Sequence, residues 1–243
     1  MNKKLSVIIL AAGKGKRMNS NLPKVLHKLA NKPLVNYVID SAKSLEPEKI
    51  ILVIGHKYNL MKQKLENHGI HFVLQKEQLG TGHAVLQCKD ELESFNGSVL
   101  VLSGDVPLIS SETLQKLIST HLKNNASATI LSAIVENSKG YGRIIRDKAN
   151  RLEYIVEEKD ANNKETKIKE INSGIYIFKS KILFKLLPLV GNNNNQKEYY
   201  LPDVLSLILA KKGKVAIEKT KNISEIQGIN SMQQLKTLEE IFK

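Results

Sequence analysis

Short apolar runs rich in β-branched residues alternate with longer amphipathic stretches over the first 110 residues of this chain. The apolar runs have the length of strands and span residues 5–10, 49–54, 71–74 and 99–102. The stretches between them repeat apolar residues at helical spacing and span residues 34–45, 58–68 and 81–92. Strands buried on both faces read as continuous apolar runs, so this alternation is typical of a parallel sheet with right-handed helical crossovers. We therefore predict an α/β fold in which helices flank a mostly parallel central sheet.

The pattern changes after residue 110, where a polar insertion at 160–169 interrupts the strand-like segments. Strands are predicted over 128–135, 141–145, 171–178 and 215–217, and helices over 110–123, 199–212 and 231–242. Four consecutive asparagines at 192–195 cannot pack in a core and predict a loop. Gly213 is predicted as the residue just beyond the helix 199–212. Pro33 is predicted as the first helical residue of the helix that continues over 34–45.

Composition excludes several classes of protein. The single cysteine, Cys88, rules out an internal disulfide and fits a reducing cytosol. No apolar stretch approaches the roughly 20 residues that cross a bilayer, so no membrane partner is expected. The formal charge is +13, but only four of the 37 basic residues are arginine, the lysines are dispersed and tryptophan is absent. This pattern argues against a nucleic-acid partner, which needs a concentrated basic surface and aromatic side chains for stacking.

The first apolar run stops at three residues with almost no side chain, Ala11, Ala12 and Gly13. A base or phosphate could therefore lie directly against the backbone that follows Leu10. Positive charge for an anion follows at Lys14, Lys16, Arg17 and Lys24. The glycines complete neither the dinucleotide-binding nor the P-loop pattern. An ordinary strand-to-helix turn with solvated lysines stays open, as does a secretory signal at residues 1–12.

A second candidate site follows the strand predicted at 99–102, where Ser103 and Gly104 precede Asp105. In open parallel sheets, ligands collect at the carboxyl ends of strands. A carboxylate at such an end can hold Mg²⁺, which prefers oxygen ligands and completes its shell with water and phosphates. Gly104 permits close approach of the backbone. An aspartate that only forms the turn before Pro107 is the alternative.

Further polar groups follow other predicted strands. Gln75 ends the third strand, and its primary amide could pair with the donor and acceptor edges of a pyrimidine. Gly80 and Thr81 follow soon after, where Thr81 serves equally well as a helix N-cap. The segments 170–174 and 228–231 carry ligand-capable side chains or form a loop and a cap. The chain has no Cys-x-x-Cys or Gly-x-Ser-x-Gly motif, so zinc sites and serine-hydrolase chemistry are not expected.

Taken together, these segments resemble the uridyltransferase half of bacterial N-acetylglucosamine-1-phosphate uridyltransferase, a bifunctional enzyme that also carries an acetyltransferase half. The matching segments span nearly the whole chain in the family's order: LAAGKGKRM (10–18), LPKVLH (22–27), QLGTGHAV (78–85), LSGDVPLI (102–109), YGRI (141–144), EINSGIY (170–176), EYYLPDV (198–204) and GIN (228–230). The resemblance implies a Rossmann-like, GT-A-like nucleotidyltransferase fold with a small sugar-binding β subregion. It also implies a nucleotidyltransferase domain over 1–229 and a C-terminal helix over 230–243 that begins a linker.

The resemblance implies a cytoplasmic enzyme that transfers UMP from UTP to N-acetylglucosamine 1-phosphate and releases pyrophosphate, a step toward cell-wall precursors. The uridine would be held by Leu10, Ala11, Ala12, Gly13, Gln75, Gly80 and Thr81, with Ser103 and Gly104 nearby. Arg17 and Lys24 would neutralise the triphosphate, and Asp105 and Asn230 would bind Mg²⁺. Gly142, Glu157 and Asn172 would contact the amino sugar. Because the attacking phosphate is already ionised, positioning and charge neutralisation would carry the catalysis.

The sequence departs from the family at Lys16 and Ser103, where threonine and tyrosine are usual. No hexapeptide period of a left-handed β-helix is visible, so acetyltransferase activity and the trimer that the β-helix builds are not carried over. If the natural protein is this short, the acceptor would have to come from another protein. A nucleotidyltransferase for a different sugar or polyol phosphate is the close alternative. A non-catalytic nucleotide binder is the third hypothesis.

Overall fold

A computed structural model describes residues 4–241 of the chain. Residues 1–3 of the signal-like segment, and residues 242–243 at the end of the predicted last helix, lie outside the described residues. The strands are β1 (Leu5–Leu10), β2 (Lys28–Leu29), β3 (Lys32–Pro33), β4 (Lys49–Ile54), β5 (His71–Leu74), β6 (Ser98–Ser103), β7 (Ala128–Ile134), β8 (Gly142–Arg146), β9 (Leu152–Val156), β10 (Glu170–Lys179) and β11 (Val215–Thr220). The α-helices are α1 (Leu34–Lys43), α2 (Tyr58–Leu65), α3 (Thr81–Leu86), α4 (Ser111–Lys123), α5 (Ser180–Leu186), α6 (Asp203–Ala210) and α7 (Met232–Ile241).

One large sheet organises the described residues. Its strand order is β11-β7-β10-β6-β1-β4-β5, and β8 pairs with both β10 and β9 at one side. Strands β6, β1, β4 and β5 are parallel to one another, and β11 is parallel to β7. The predicted α/β architecture with a mostly parallel central sheet flanked by helices is confirmed. The β8–β9 hairpin forms the small β subregion that the sequence resemblance implies.

The central strand β1 explains why the core lies on both sides of the sheet. Val7, Ile8 and Ile9 are each 0% exposed, and their side chains join two different core clusters on the two faces. Burying each of these side chains contributes roughly 1.5–3 kcal/mol. A strand so placed is mostly apolar, with Ser6 as its one buried polar residue, which is why its bounds agree with those read from the sequence.

Strand β10 divides the sheet into two regions because it runs antiparallel to both β6 and β7. Its register against β7 shifts between Asn172 and Tyr176, which marks a bulge. Gly174 lies in this bulge at a φ of +78°, a conformation that glycine adopts at little cost. The bulge therefore interrupts the ladder beside the carboxyl end of β6 and re-aims the polar residues at 172–173.

Three of the sequence predictions about helix ends are wrong. The helix predicted at 199–212 begins only at Asp203, because Pro202 ends a turn and precedes it as the N-cap. At its other end Lys212, not Gly213, adopts the left-handed conformation, at a φ of +57°. Gly213 instead donates its N–H to the Ile208 carbonyl at 2.8 Å, and an added Cβ would lie 2.7 Å from the Ile208 side chain. Pro33 has an extended ψ of 141° and precedes α1 rather than starting it.

The last helix closes the structure over a small separate core. Leu235 and Leu238 of α7 pack with Ile229 against Leu29 and Leu34, at the β2–β3 hairpin and the start of α1. This contact returns the end of the chain to the loop that follows β1. Within residues 4–241, no helix combines the length and apolarity that a bilayer crossing needs.

Candidate active site

A cavity of about 270 Å³ opens at the carboxyl ends of β1 and β6, beside the first turn of α3. Ten of the residues that the sequence predicts to bind substrate line it: Leu10, Ala11, Ala12, Gly13, Lys24, Gln75, Gly80, Thr81, Ser103 and Asp105. Its lining is more apolar than polar, and the small residues after β1 leave room for a flat ring against the backbone. The cavity therefore has the character of a nucleoside site.

Gln75 is held at the edge of this cavity by its own amide group. It is 3% exposed, and its Nε2 donates to the Gly80 carbonyl at 3.1 Å and lies 3.1 Å from His83 Nδ1. Among the described residues no donor reaches its Oε1, so this oxygen is available to an N–H of a bound base. The geometry therefore suits recognition of a pyrimidine edge, the role predicted for Gln75.

The Thr81 hydroxyl makes a structural hydrogen bond that the sequence did not predict. The helix N-cap is Gly80, at a φ of +110°, so the alternative that made Thr81 the N-cap is wrong. The Thr81 hydroxyl instead accepts from the Leu201 N–H at 3.0 Å. An added Cβ at Gly80 would lie 2.6 Å from the Tyr199 carbonyl oxygen. These contacts tie the start of α3 to the segment before α6, and only glycine fits at position 80.

Gly104 directly follows β6 and packs against the end of β1. Its N–H donates to the Leu10 carbonyl at 2.9 Å, and an added Cβ would lie 3.1 Å from that oxygen. The residue packs β6 closely against β1 and so sets where Asp105 emerges from the sheet. Direct contact of Gly104 with substrate stays a prediction.

Four side chains that are far apart in sequence converge at the mouth of the cavity. The Lys24 ammonium contacts Asp105 Oδ2 and lies 3.0 Å from Asn230 Oδ1. Arg17 donates from Nη2 to the same Asn230 oxygen at 2.9 Å. The loop before α7 is joined to the loop after β6 because the Ile229 N–H donates to the Asp105 carbonyl at 2.8 Å. The cluster of Arg17, Lys24, Asp105 and Asn230 can therefore hold polyphosphate and cation together.

The residues present fit a hard divalent cation. Asp105 Oδ2 and Asn230 Oδ1 both contact the Lys24 ammonium, so the two oxygens converge on a position that a cation already occupies. Within residues 4–241, no group of three or more His, Cys, Asp or Glu side chains is arranged to hold a metal. Two protein oxygens are what Mg²⁺ commonly uses when phosphates and water complete its shell. The sequence-predicted metal ligands are thus brought together, and their binding of Mg²⁺ stays a prediction.

A second cavity of about 240 Å³ meets the first at Ser103 and Asp105. Arg17 and Asn230 line it from one side, and Tyr141 and Ser173 line it from the region of β8 and β10. Burial and the negative charge of Asp105 raise the pKa of Tyr141. The two cavities form one cleft with Asp105 at their boundary.

The predicted sugar-binding residues Gly142, Glu157 and Asn172 also lie together. Gly142 pairs with Asn172 across β8 and β10, and an added Cβ at Gly142 would lie 3.2 Å from Glu157 Oε1. Asn172 Nδ2 lies 2.6 Å from the Tyr176 hydroxyl, and its Oδ1 accepts from the Gly174 N–H at 3.2 Å. The bulge in β10 thereby orients the Asn172 amide beside Glu157 and Gly142.

Glu157 is a buried carboxyl group in an acidic neighbourhood. Burial raises its pKa to about 7, helped by the negative charges of Asp203, Asp160 and Glu198 and opposed by Arg143. Burial, followed by the charge of Asp160, raises the pKa of Asp203 to about 6. A third cavity of about 320 Å³ is lined by Glu157, Asp160 and Asp203. Burial is the largest cause of the raised pKa at both Glu157 and Asp203, and Arg143 only partly offsets it at Glu157.

Two supporting residues were missed by the sequence analysis. Arg143 is 2% exposed and its guanidinium pairs with Glu158 at 2.7 Å, directly after Glu157. Gln234 accepts from the Asn230 N–H at 2.7 Å, and its own N–H donates to Ser231 Oγ at 3.2 Å. The Ser-x-x-Gln spacing at 231–234 is the signature of a helix capping box and could have indicated the second contact.

A model of the nucleotidyl transferase family matches residues 6–223, and the chain belongs to that family. Among curated proteins, the bifunctional protein GlmU of Alkaliphilus metalliredigens is 48% identical over 240 residues, which cover 99% of this chain and 52% of that protein. GlmU of Staphylococcus carnosus is 46% identical over 236 residues, covering 97% of this chain and 52% of the relative. The chain thus spans about half the length of the curated relatives it matches. The sequence-based resemblance to this family is confirmed.

Solved structures share the fold over nearly the whole chain. A UDP-glucose pyrophosphorylase complexed with UDP-glucose superposes with a TM-score of 0.77 at 20% identity, covering 98% of both chains. A structure described as a putative glucose-1-phosphate thymidylyltransferase from Bacillus anthracis gives a TM-score of 0.74 at 18% identity, covering 98% of this chain and 94% of that one. At such identities the likeness concerns the fold alone, which is that of a nucleotidyltransferase.

Proposed function

We propose that this chain transfers UMP from UTP to N-acetylglucosamine 1-phosphate, forming UDP-N-acetylglucosamine and pyrophosphate with the help of Mg²⁺. The observation that carries the proposal is the contact of Lys24 with both Asp105 and Asn230 at the mouth of a nucleoside-sized cavity. The GlmU relatives support the choice of uridine nucleotide and amino-sugar acceptor. A cytosolic location, expected from the single buried cysteine, is part of the same proposal.

The nucleoside end of UTP would lie in the cavity after β1. Ala11 and Ala12 leave the backbone open to the base, and Gln75 Oε1 would accept from a base N–H. Lys24 and Arg17, which lie at the mouth, would face the triphosphate. Once polyphosphate is bound, Lys24 has phosphate oxygens as new partners and can release Asp105 and Asn230 to the metal. The α-phosphorus would then lie near Asp105, where the two cavities meet.

The reaction needs no protein base, because the 1-phosphate of the acceptor is already ionised when it attacks. One P–O bond forms between this phosphate and the α-phosphorus, and the α–β bridging P–O bond breaks to release pyrophosphate. Mg²⁺, held by Asp105 and Asn230, would neutralise charge on the phosphates of both substrates. Lys24 and Arg17 position the reacting groups and stabilise the charge that moves onto the leaving pyrophosphate.

The acceptor sugar would bind beside β8 and β10. Gly142 leaves space next to the Glu157 carboxylate, where a side chain at 142 would crowd it. A carboxylate and an amide oxygen are suited to the hydroxyl and N-acetyl groups of an amino sugar. Glu157 and Asn172 would thus select the acceptor, and the cations at Arg17 and Lys24 would bind the phosphates.

The test is an assay of pyrophosphate release from UTP, N-acetylglucosamine 1-phosphate and Mg²⁺, with glucose 1-phosphate and other sugar phosphates as competing acceptors. Asp105→Asn should keep the fold and lose about 10²–10³ in turnover. Asp90→Asn, which changes an exposed carboxylate by the same atoms, is the matched control. Absence of pyrophosphate release by the unmodified protein would contradict the proposal, and preference for another acceptor would redirect it to that sugar phosphate.

A further inference from the structure

Asn230 needs external support if its oxygen is to stay in the cleft. It lies in the short loop between Gly228 and α7, and its Oδ1 faces Lys24 and Arg17. Its side-chain Nδ2 donates to the Gly228 carbonyl at 3.3 Å, which turns the oxygen outward. The direction of this oxygen also depends on the backbone of Asn230, which a separate hydrogen bond holds.

The backbone N–H of Asn230 donates to Gln234 Oε1 at 2.7 Å, a contact made within the first turn of α7. The backbone N–H of Gln234 donates separately to Ser231 Oγ at 3.2 Å, a bond that caps α7 and does not involve the Gln234 side chain. In an ordinary capping box the glutamine reaches back to the N–H of the cap residue. Here it reaches one residue further, to the residue that carries the cleft oxygen. The cap of α7 and the cleft therefore share one hydrogen bond.

The helix that bears this cap is itself anchored. Leu235 and Leu238 are buried with Ile229 in the small core that includes Leu29 and Leu34. Gln234 also lines the second cavity beside Arg17, which places its amide at the cleft surface. A rigid path thus runs from the α7 core through Gln234 to Asn230.

We infer that Gln234 is a positioning residue that sets the Asn230 oxygen for the divalent cation, an inference that rests on the proposed function. Groups that orient metal ligands in this way govern metal affinity although they never touch the ion. Gln234 would act on the apparent affinity for Mg²⁺ rather than on nucleoside binding, since Ala11, Ala12 and Gln75 belong to a different part of the cleft.

Three variants separate positioning from helix stability. Gln234→Met keeps length and helix propensity but removes the acceptor for the Asn230 N–H. Ser231→Ala removes the N-cap oxygen that Gln234 N–H uses and leaves the Gln234 acceptor in place. Gln233→Met makes the same exchange at the exposed neighbouring position and controls for the new side chain.

The first readout is Mn²⁺ binding in the presence of UTP, without acceptor, by electron paramagnetic resonance. Gln234→Met should bind Mn²⁺ about tenfold more weakly and require about tenfold more free Mg²⁺ for half-maximal pyrophosphate release. Ser231→Ala and Gln233→Met should bind Mn²⁺ like the unmodified protein, although Ser231→Ala lowers the melting temperature. Gln234→Glu, which restores an acceptor, should bring Mn²⁺ affinity back.

Hydrogen–deuterium exchange supplies a second readout that needs no turnover. The peptide covering 228–231 should exchange faster in Gln234→Met than in Gln233→Met. Equal Mn²⁺ affinity in Gln234→Met and Ser231→Ala would overturn the inference, because Gln234 would then only stabilise the helix. If the unmodified protein releases no pyrophosphate, the proposed function fails, whereas Mn²⁺ binding and exchange still decide the role of Gln234.

Discussion

The carboxyl groups of Asp105, in the cleft, and of Glu157, in the third cavity, lie in different electrostatic surroundings. At the ends of β1 and β6, Asp105 contacts the Lys24 ammonium, and Lys24 and Arg17 share the Asn230 side-chain oxygen. On the side of β8 and β10, Glu157 lies near Asp160 and Asp203, and burial raises its pKa to about 7. The first arrangement suits a polyanion with its cation, and the second suits a neutral polyol that forms hydrogen bonds. In the proposed function, the phosphates and the sugar would therefore bind in surroundings of different electrostatic character.

Lys24→Met should give the largest effect and tests the cationic side. Turnover should fall by about 10²–10³, because a charge aimed at the reacting phosphates is lost. Lys28→Met, which removes the charge of an exposed nearby lysine, should change turnover little. Steady-state kinetics with both substrates provide the measurement. If Lys24→Met altered only the KM of the acceptor, the division between the two sides would be wrong.

Glu157→Gln should stabilise the protein at alkaline pH, which tests the acidic side without catalysis. The pKa of Glu157 in the folded protein lies above its ordinary value. Protonation of Glu157 therefore contributes stability that is fully present below about pH 4.5 and is lost as the pH rises through about 7. A shift from 4.5 to about 7 corresponds to roughly 3 kcal/mol at most.

Denaturant unfolding of both proteins at a series of pH values measures this difference. The variant should match the unmodified protein near pH 4 and become progressively more stable than it up to pH 8. A constant difference across that range would mean that Glu157 does not titrate in this way.

Acceptor binding should depend on pH more than UTP binding does. Below pH 7 Glu157 gains a proton and loses part of its capacity to accept hydrogen bonds, so the KM of the acceptor should rise by up to about tenfold per pH unit. The KM of UTP should not follow this titration. In Glu157→Gln, the titration of the acceptor phosphate still affects the acceptor KM, but the pH dependence caused by Glu157 should be absent. This variant is therefore the control.

Asp203→Asn should give the smallest effect and refines the same side. Removal of the Asp203 charge lowers the pKa of Glu157, because that charge is one of the causes that raise it. The midpoint of the acceptor KM profile should therefore move to lower pH, with turnover at pH 8 nearly unchanged. A midpoint that stays in place would show that the Asp203 charge does not contribute to the raised pKa of Glu157.

Sequence patterns predicted the parallel side of the sheet better than the antiparallel side. The bounds of β1, β4 and β5 agree to the residue, because each is a short, mostly apolar run with polar or glycine-containing sequence on both sides. Strand β9 was missed since Leu152–Val156 is short and mixes Glu153 with apolar residues. Helix α5 was not predicted because its apolar residues have no clear helical period. Helix α6 begins later than the predicted residue 199 because Pro202 ends a turn before it.

The candidate site could be predicted residue by residue only where a family motif marked it. Asp105 follows a recognisable strand end, whereas nothing local in the sequence joins Asn230 to Lys24. That contact depends on how α7 packs against β2 and β3, which is a long-range property of the fold. The raised pKa of Glu157 likewise depends on Asp203 and Asp160, which different segments bring close to it.

The contact between Lys24 and Asn230 joins positions 206 residues apart. During synthesis on the ribosome, the strands that form the nucleoside cavity emerge long before the segment that contributes Asn230. A nascent chain therefore lacks one of the two oxygens proposed for the cation until the segment containing Asn230 has been translated, and the first cavity also has to wait for Glu198 and the contacts of Gly80 and Thr81 with residues 199–201. Completion of the proposed cation site would then be one of the last events of folding.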